Sequence, residues 1–179
     1  AAPTIKTVLA EDASATPNSG DSTVVEGGTL RYTVTLSAAG TSPTQFSLAA
    51  SGTASAADYT GYTFSNGVTY DPTTGKITVP AGVTSFTITV PTVDDTSIES
   101  TETLALNVGG VTGTGTILDN DQPTIQSVLA EDASATPGSG DSTVVEGGTL
   151  RYTVTLSAAG TSPTQFSLAA SGTAAPADY

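Results

Sequence analysis

An internal repeat with an offset of 120 residues constrains this sequence more than any other feature. Solenoid repeats are about 20–45 residues long, so a unit of this length must instead build a core of its own. We therefore expect a complete repeat over residues 3–122 and the N-terminal half of a second, near-identical repeat over residues 123–179. Residues 3–59 recur as residues 123–179, and the 57 aligned positions differ at only five, Lys6/Gln126, Thr7/Ser127, Asn18/Gly138, Ser55/Ala175 and Ala56/Pro176. Such close identity favours a tandem array over an ordinary two-domain protein.

Apolar and polar residues alternate along several segments, most clearly at Leu30, Tyr32, Val34 and Leu36. A period of two with β-branched residues is typical of half-buried strands, and frequent glycine and proline are typical of all-β folds. The pattern predicts an all-β, Ig-like antiparallel β-sandwich of about seven strands in tandem repeat. The predicted strands are residues 4–9 (resuming at 23–25), 29–37, 44–49, 76–79, 85–90, 101–108 and 112–118, with a small hairpin of residues 62–64 and 68–70 between the third and fourth strands.

The acidic residues of the first repeat are distributed unevenly among the predicted strand connections. In an up-and-down antiparallel arrangement, alternate connections share a pole, and residues 37–43, 80–84 and 109–111 contain no acid. We therefore expect every carboxylate of this repeat to lie at or near the opposite pole. Two unit charges about 4 Å apart repel by roughly 1–4 kcal/mol in well-solvated surroundings. Ca²⁺ would relieve this repulsion, because it accepts about 6–8 oxygen ligands in a flexible geometry, whereas Mg²⁺ needs a tighter octahedron.

Composition excludes several function classes. The chain has no Cys, His, Met or Trp, which removes thiol nucleophiles, disulfides, zinc fingers and histidine acid–base chemistry. A net charge of −13 argues against binding to nucleic acid or to anionic lipid. No apolar run approaches the ~20 residues of a membrane-spanning helix, so we expect no direct membrane contact. Since no signal peptide begins the chain, we expect either an internal fragment or a trimmed form of a longer sequence.

Several motifs in the same order resemble those of Calx-beta repeats. They are Val-Val-Glu-Gly-Gly at residues 24–28, Ala-Asp-Tyr at 57–59, Val-Asp-Asp at 93–95, the acids Glu99 and Glu102, and Gly-Thr-Gly-Thr-Ile-Leu-Asp-Asn-Asp at 113–121. The whole unit is similar to the extender repeats of giant bacterial RTX adhesins. This resemblance implies an Ig-like sandwich, calcium at one pole and at the junctions between repeats, no catalysis, and export by type I secretion to an extracellular position on the bacterial cell surface.

The candidate calcium ligands have ordinary structural alternatives. Glu26 and Asp58 are also suited to turns, and the Asp-Asn-Asp of residues 119–121 is also plain turn chemistry. Four acids within residues 94–102, with no base among them, are poorly explained by turns. Glu131 and Asp132 follow the linker closely enough to share a junction site. The predicted ligands are Glu26, Asp58, Asp94, Asp95, Glu99, Glu102, Asp119, Asp121, Glu131, Asp132 and Glu146, whereas Asp71 in Asp-Pro-Thr-Thr-Gly is interpreted as structural.

These observations predict a calcium-stabilised extender rather than an enzyme. Paired carboxylates could hydrolyse glycosides, but that chemistry needs a substrate cleft, usually with aromatic platforms. A carbohydrate-binding module and a calcium sensor are the alternatives. The expected partners are calcium ions and neighbouring repeats of the same chain. We also expect the second half repeat to pair with another chain or to belong to a full domain, because it leaves uncovered the apolar residues Leu150, Tyr152, Val154, Leu156, Phe166 and Leu168.

Overall fold

The computed structural model describes all residues from Ala1 to Tyr179. The chain forms two compact units, Ala1–Asn120 and Asp121–Tyr179. Both are built from β-strands, and the only helical segment is a 3₁₀ turn over Pro176–Asp178. The structure contains no helix with the length and apolar character needed to span a membrane.

The first unit is a sandwich of two sheets. One sheet has the order β1-β3-β8-β5 and the other has the order β2-β10-β9-β4-β7-β6. All pairs are antiparallel except β2 and β10, which are parallel. The strands are β1 (Ile5–Asp12), β2 (Thr23–Val25), β3 (Thr29–Leu36), β4 (Thr44–Ser51), β5 (Thr63–Phe64), β6 (Thr69–Asp71), β7 (Lys76–Val79), β8 (Ser85–Pro91), β9 (Glu102–Val108) and β10 (Val111–Leu118).

The core lies between the two sheets. Every second residue of β3 and β8 is buried, so the threonines between them face outward. The buried side chains of β3 and β8 pack against Leu104 and Leu106 of β9 and Ile77 of β7 in one cluster. The Tyr32 hydroxyl donates a hydrogen bond to the Leu104 carbonyl across the sandwich (2.6 Å). Each fully buried large apolar side chain contributes roughly 1.5–3 kcal/mol, so this shared core stabilises the pairing of the two sheets.

The predicted all-β sandwich is confirmed, but the pairing of β2 with β10 is parallel rather than antiparallel as predicted, and two further details differ. The predicted small hairpin is wrong, because β5 pairs with β8 in one sheet and β6 pairs with β7 in the other. Both segments are short and have stronger partners in the longer neighbouring strands. In addition, Glu11 and Asp12 do not follow the first strand but are its last two residues, since their backbone pairing with Arg31 and Leu30 continues the ladder.

Strand register defines the two ends of the sandwich. Leu30 pairs with both Asp12 and Val90, so the end of β1, the start of β3 and the end of β8 lie at one pole. Leu118 pairs with Val25 at the matching end of the second sheet. Asp71 departs from the predicted gathering of acids, because its turn lies beside the middle of β4, where Leu48 N–H donates to the Gly75 carbonyl (2.9 Å). That turn is structural as predicted, with Thr73 N–H donating to Asp71 (2.9 Å).

The second unit contains two strands, β11 (Ile125–Asp132) and β12 (Leu150–Leu156). They pair in the register of β1 and β3, including the same irregularity after the first residue. The copies of β2 and β4 form no strand here, although their sequences are unchanged. In the first unit those two strands pair only with β7, β9 and β10. Their extended conformation therefore depends on partners encoded by residues 60–122.

Candidate metal centre

Two backbone hydrogen bonds place Glu26 beside the end of β10. Glu26 lies in the turn between β2 and β3. In this turn the Gly28 N–H donates a hydrogen bond to the Val25 carbonyl (2.9 Å). The turn requires a positive φ at Gly27 (+83°), a conformation that side-chain-bearing residues rarely adopt. Glu26 N–H then donates to the Leu118 carbonyl (2.9 Å). The acids that follow β10 are thereby brought next to Glu26, although they lie more than 90 residues later in the chain.

Glu26, Asp119 and Asp121 form the first carboxylate group. One oxygen from each lies within 4.8 Å of the others. Asp121 is two residues beyond Asp119, so its place in this group follows from the local course of the chain after β10. The residue between them orients the group, because Asn120 N–H donates to Glu26 Oε1 (3.4 Å) and its side-chain amide donates to Asp94 Oδ1 (2.9 Å).

Asp58, Glu99 and Glu102 form the second carboxylate group, again with one oxygen from each within 4.8 Å of the others. Asp58 is held by a turn in which Ser55 N–H donates to its carboxylate. Its own carbonyl accepts the Val93 N–H (2.9 Å), which ties this turn to the segment after β8. Glu102 is the first residue of β9 and its position is set by pairing with Ile117 of β10.

The two groups belong to one continuous site. Glu99 N–H donates to Asp119 Oδ2 (2.9 Å), which joins a member of the second group to a member of the first. A single small cavity is lined by five of these carboxylate residues, Glu26, Asp58, Glu99, Glu102 and Asp119, together with Val93, Ser100 and Ile117. Four chain segments that are distant in sequence therefore meet at one pole of the sandwich.

Two carboxylates of the second group have pKa values shifted in opposite directions. Burial raises the pKa of Glu102, and the negative charges of Asp58 and Glu99 raise it further. The hydrogen bond from the Ser55 side chain lowers the pKa of Asp58 and outweighs the opposing effect of burial. Opposite shifts in two adjacent carboxylates are expected when like charges share a small space, because one of them takes up a proton more readily than the other.

Other predicted ligands lie outside both groups. Asp94 accepts the Asn120 amide and its Cβ packs against Gly27, where an added Cβ would be only 3.1 Å away. Asp95 accepts the Ser97 N–H (2.6 Å) and stabilises a turn. These two residues therefore surround the centre without sharing either set of three oxygens. Their ligation of calcium stays a prediction.

The predicted ligands of the second unit have different surroundings. Both carboxylate oxygens of Glu131 are engaged, one by Arg151 (2.8 Å) and the other by Gly140 N–H (3.1 Å). Asp132 accepts the Ser134 N–H and hydroxyl. Glu146 is exposed. The role of these three residues at a junction between repeats likewise stays a prediction.

Sequence reasoning missed a buried ion pair near the same pole. Glu11 is fully buried and its carboxylate accepts hydrogen bonds from Arg31 (3.4 Å), Gly20 N–H (3.3 Å) and Ser19 (3.4 Å). Burial alone would raise the pKa of Glu11, but backbone hydrogen bonds and Arg31 together lower it. The second unit repeats the pair as Glu131 and Arg151. The available sequence signal was Arg31, which is the one charged residue of β3, but only the strand register shows that it lies opposite Glu11.

Both carboxylate groups fit a calcium ion by ligand type and spacing. Calcium–oxygen distances of about 2.3–2.6 Å allow two ligands on opposite sides of an ion to be roughly 4.8 Å apart. The groups meet this limit without rearrangement. Neither group includes a positively charged side chain. A hard cation bound by oxygen alone is therefore the kind of ion that these residues suit.

The chain has low similarity to solved domains of the S-layer protein SbsC. Domains 4 and 5 of SbsC are 15% identical with a TM-score of 0.33, covering 65% of this chain and 53% of theirs. Domains 5–6 are 14% identical with a TM-score of 0.34, covering 76% and 57%. A structure of domains 4–9 is 15% identical with a TM-score of 0.34, covering 76% and 18%. The chain thus spans about half the length of the first two structures. No protein-family model and no curated protein matches the chain.

Proposed function

We propose that this chain is a calcium-stabilised extender segment of a bacterial surface adhesin and acts outside the cell as a spacer rather than an enzyme. The observation that carries the proposal is the meeting of two carboxylate groups in one small site at a single pole of the sandwich. At neutral pH these charges oppose folding unless a cation binds between them. Calcium would therefore stabilise the folded unit and fix the pole from which the chain leaves β10.

The rod-like role rests on the position of the first carboxylate group. Asp119 and Asp121 lie at the exit from the first unit, where the five-residue segment 119–123 leads to the next repeat. That segment lacks glycine, and Pro123 restricts its own φ and biases Gln122 towards extended conformations. Calcium shared by Asp119, Asp121 and Glu131 or Asp132 would hold neighbouring repeats in line. The spacer would in this way project a distant ligand-binding region from the cell surface.

The first alternative function, a carbohydrate-binding module, finds less support. A carbohydrate-binding module needs exposed ring faces, but in the first unit Tyr62, Phe64 and Tyr70 pack against one another with ring centroids 5.7–6.3 Å apart. All three are partly buried against the core. A calcium sensor should bind with dissociation constants of about 10⁻⁷–10⁻⁵ M, whereas extracellular modules bind at about 10⁻⁴–10⁻³ M. A measurement of the calcium dissociation constant would therefore distinguish a sensor from a spacer.

Thermal unfolding in calcium and in chelator tests the proposal. Calcium that binds only the folded state at about 100 times its dissociation constant adds roughly 2.7 kcal/mol per site. We expect the first unit to melt several degrees higher in millimolar calcium than in chelator, with magnesium giving a smaller increase. Asp119→Asn and Asp58→Asn should each reduce the calcium-dependent increase.

Asp71→Asn is the matched control, because it removes an exposed carboxylate in the turn between β6 and β7. It should leave the calcium-dependent increase unchanged, whatever it does to the melting temperature itself. Equal melting curves in calcium and chelator for the unaltered chain would disprove calcium stabilisation.

A further inference from the structure

Two very short strands form one side of the first unit. β5, with two residues, is the last strand of one sheet, and β6, with three residues, is the last strand of the other. β5 pairs with β8 at two positions, and β6 pairs with β7 at three. Such short strands offer few backbone hydrogen bonds, so their side chains must contribute much of what holds this side of the sandwich together.

Three aromatic rings pack together across this side. Tyr62 directly precedes β5, Phe64 is the last residue of β5, and Tyr70 is the middle residue of β6. The ring centroid of Tyr62 lies 6.3 Å from that of Phe64 and 5.7 Å from that of Tyr70. Because Tyr62 adjoins a strand of one sheet and Tyr70 belongs to the other sheet, the contact between these two tyrosines connects the sheets.

The contact between Tyr62 and Tyr70 is suited to covalent coupling of the two rings. Their planes are 77° apart, an edge-on arrangement. The carbon atoms next to the hydroxyl lie at the edge of a tyrosine ring, and these are the atoms that couple when two phenoxyl radicals meet. Both side chains are only partly buried, so they have room to rotate and are accessible to an oxidant. Tyr32, by contrast, is fully buried and its hydroxyl is engaged by the Leu104 carbonyl.

We propose that Tyr62 and Tyr70 form a site of oxidative modification, at which a peroxidase supplied with hydrogen peroxide joins the two rings as dityrosine. Each phenol loses one electron and one proton, and the two radicals form a carbon–carbon bond between the ring positions next to the hydroxyls. The hydrogen atoms on those two carbons then move to the phenolic oxygens, which restores both aromatic rings. The two electrons and two protons released reduce one hydrogen peroxide to two water molecules.

Proximity favours this pair over coupling between separate chains. Two groups held in contact react as one molecule, so the coupling does not depend on the encounter of two chains. Burial, together with the neighbouring phenols of Tyr59 and Tyr70, raises the pKa of Tyr62 to about 12. The Tyr62 phenol is therefore neutral at physiological pH and gives up its proton only when it is oxidised.

The cross-link would act as a staple in a chain that contains no cysteine. It would tie the segment at β5 to β6 and close a short loop from Tyr62 to Tyr70. Covalent closure removes conformations from the unfolded chain, and a short loop gives a smaller gain than a long one, so we expect the melting temperature to rise by a few degrees. Exposure to oxidants outside the cell rests on the proposed function, whereas the coupling itself requires neither calcium nor a particular location.

Oxidation of the whole chain with a peroxidase and hydrogen peroxide tests the proposal. We expect the blue fluorescence of dityrosine to appear at a rate per chain that is unchanged by roughly tenfold dilution, because the coupling is intramolecular. Coupling between chains slows on dilution and gives dimers, which sizing separates from the monomer. Proteolytic cleavage after Phe64 in the oxidised monomer should leave the two flanking peptides joined through Tyr62 and Tyr70, with a combined mass lower by two hydrogen atoms.

Tyr70→Phe is the decisive variant, because it keeps an aromatic ring in place and removes the hydroxyl that a phenoxyl radical requires. It should lower the yield of dityrosine in the monomer by roughly tenfold or more and abolish the rise in melting temperature. Tyr59→Phe is the matched control, since Tyr59 also lies near Tyr62, and it should leave the Tyr62–Tyr70 product unchanged. Dityrosine found only between chains, or a link from Tyr62 to Tyr59 in place of Tyr70, would overturn the proposal.

Discussion

At the scale of single residues, Glu11 and Glu102 show how one residue type can favour or oppose folding. Glu11 is surrounded by donors from Arg31 and the adjoining loop, so its charged form is stabilised. Glu102 lies among carboxylates and its charged form is destabilised. The pKa of Glu11 is lowered and that of Glu102 is raised. The stability of the first unit should therefore depend on pH in opposite directions at these two positions.

Glu102→Gln should stabilise the calcium-free protein. The folded state binds the Glu102 proton more tightly than the unfolded chain does, so this contribution to stability is present below the ordinary glutamate pKa of 4.5 and is lost as pH rises through the folded pKa. Glutamine mimics the protonated form at every pH. We expect a gain of about 1 kcal/mol in chelator at pH 7, the size of one repulsion between charges about 4 Å apart, closing as pH falls towards 4.5. Thermal melts from pH 4 to pH 8 measure this.

Glu11→Gln is the control of opposite sign. Its pKa is lowered in the folded state, so it contributes stability above 4.5 that is lost as pH falls through the folded value. The variant should therefore melt lower than the unaltered chain at pH 7, with the difference shrinking in acid. If Glu102→Gln instead lowered the melting temperature in chelator, repulsion within the second carboxylate group would be disproved.

At the scale of elements, β10 is shaped by two inward-facing glycines. A Cβ at Gly113 would lie 2.7 Å from the Val8 carbonyl oxygen, so the absence of a side chain lets β1 approach β10 from the other sheet. A Cβ at Gly115 would lie 2.7 Å from Leu30 and 3.0 Å from the Tyr32 hydroxyl. Neither glycine has a positive φ, so the constraint is steric rather than conformational. The spacing between the two sheets at this edge depends on both positions.

Gly115→Val should destabilise the first unit because its side chain would displace Leu30 and Tyr32 and disturb the hydrogen bond to the Leu104 carbonyl. Overpacking of this kind costs about 1–3 kcal/mol. Urea unfolding followed by tyrosine fluorescence would measure it. Thr114→Val, on the exposed face of the same strand, is the control and should change stability by less than about 0.5 kcal/mol. Equal stability of the two variants would show that the core has room at Gly115.

At the scale of the whole molecule, one sequence occurs in two environments. Residues 29–36 and 149–156 are identical, and they contain β3 and β12, but only β3 is covered by residues from the second half of a repeat. Because intrinsic exchange rates depend on local sequence, any difference in hydrogen exchange between these copies reports tertiary packing alone.

We expect hydrogen exchange to separate the two copies within one spectrum. A peptide from residues 29–36 has the same mass as one from residues 149–156, so their isotope envelopes coincide before exchange. During exchange the envelope should split into two equal populations, the faster from the second unit, where β12 is open at one edge. A single envelope at all times would contradict the difference in packing.

Scattering from two complete repeats tests the proposed spacer. Strands of about 8 residues at ~3.3 Å each, with their loops, give a sandwich roughly 40 Å long. We expect a longer maximum dimension and a narrower distribution of shapes in calcium than in chelator. Asp121→Ala should remove this difference while leaving each unit folded, with Asp71→Asn as the control. Repeats that are equally flexible in both conditions would disprove calcium-dependent rigidity.

The sequence by itself determined the all-β class and most strand positions, because the alternation in segments such as 29–36 and 85–90 follows from which face of a strand is buried. It also predicted that acids would gather near one pole, since strand connections are encoded locally. Tertiary structure alone decided which acids meet. Glu26 reaches Asp119 through pairing of β2 with β10, and Glu102 reaches Asp58 through a turn fixed to the segment after β8. Such contacts depend on the register between strands far apart in sequence, and the same cause left the Glu11–Arg31 pair and the separate partners of β5 and β6 beyond sequence reasoning.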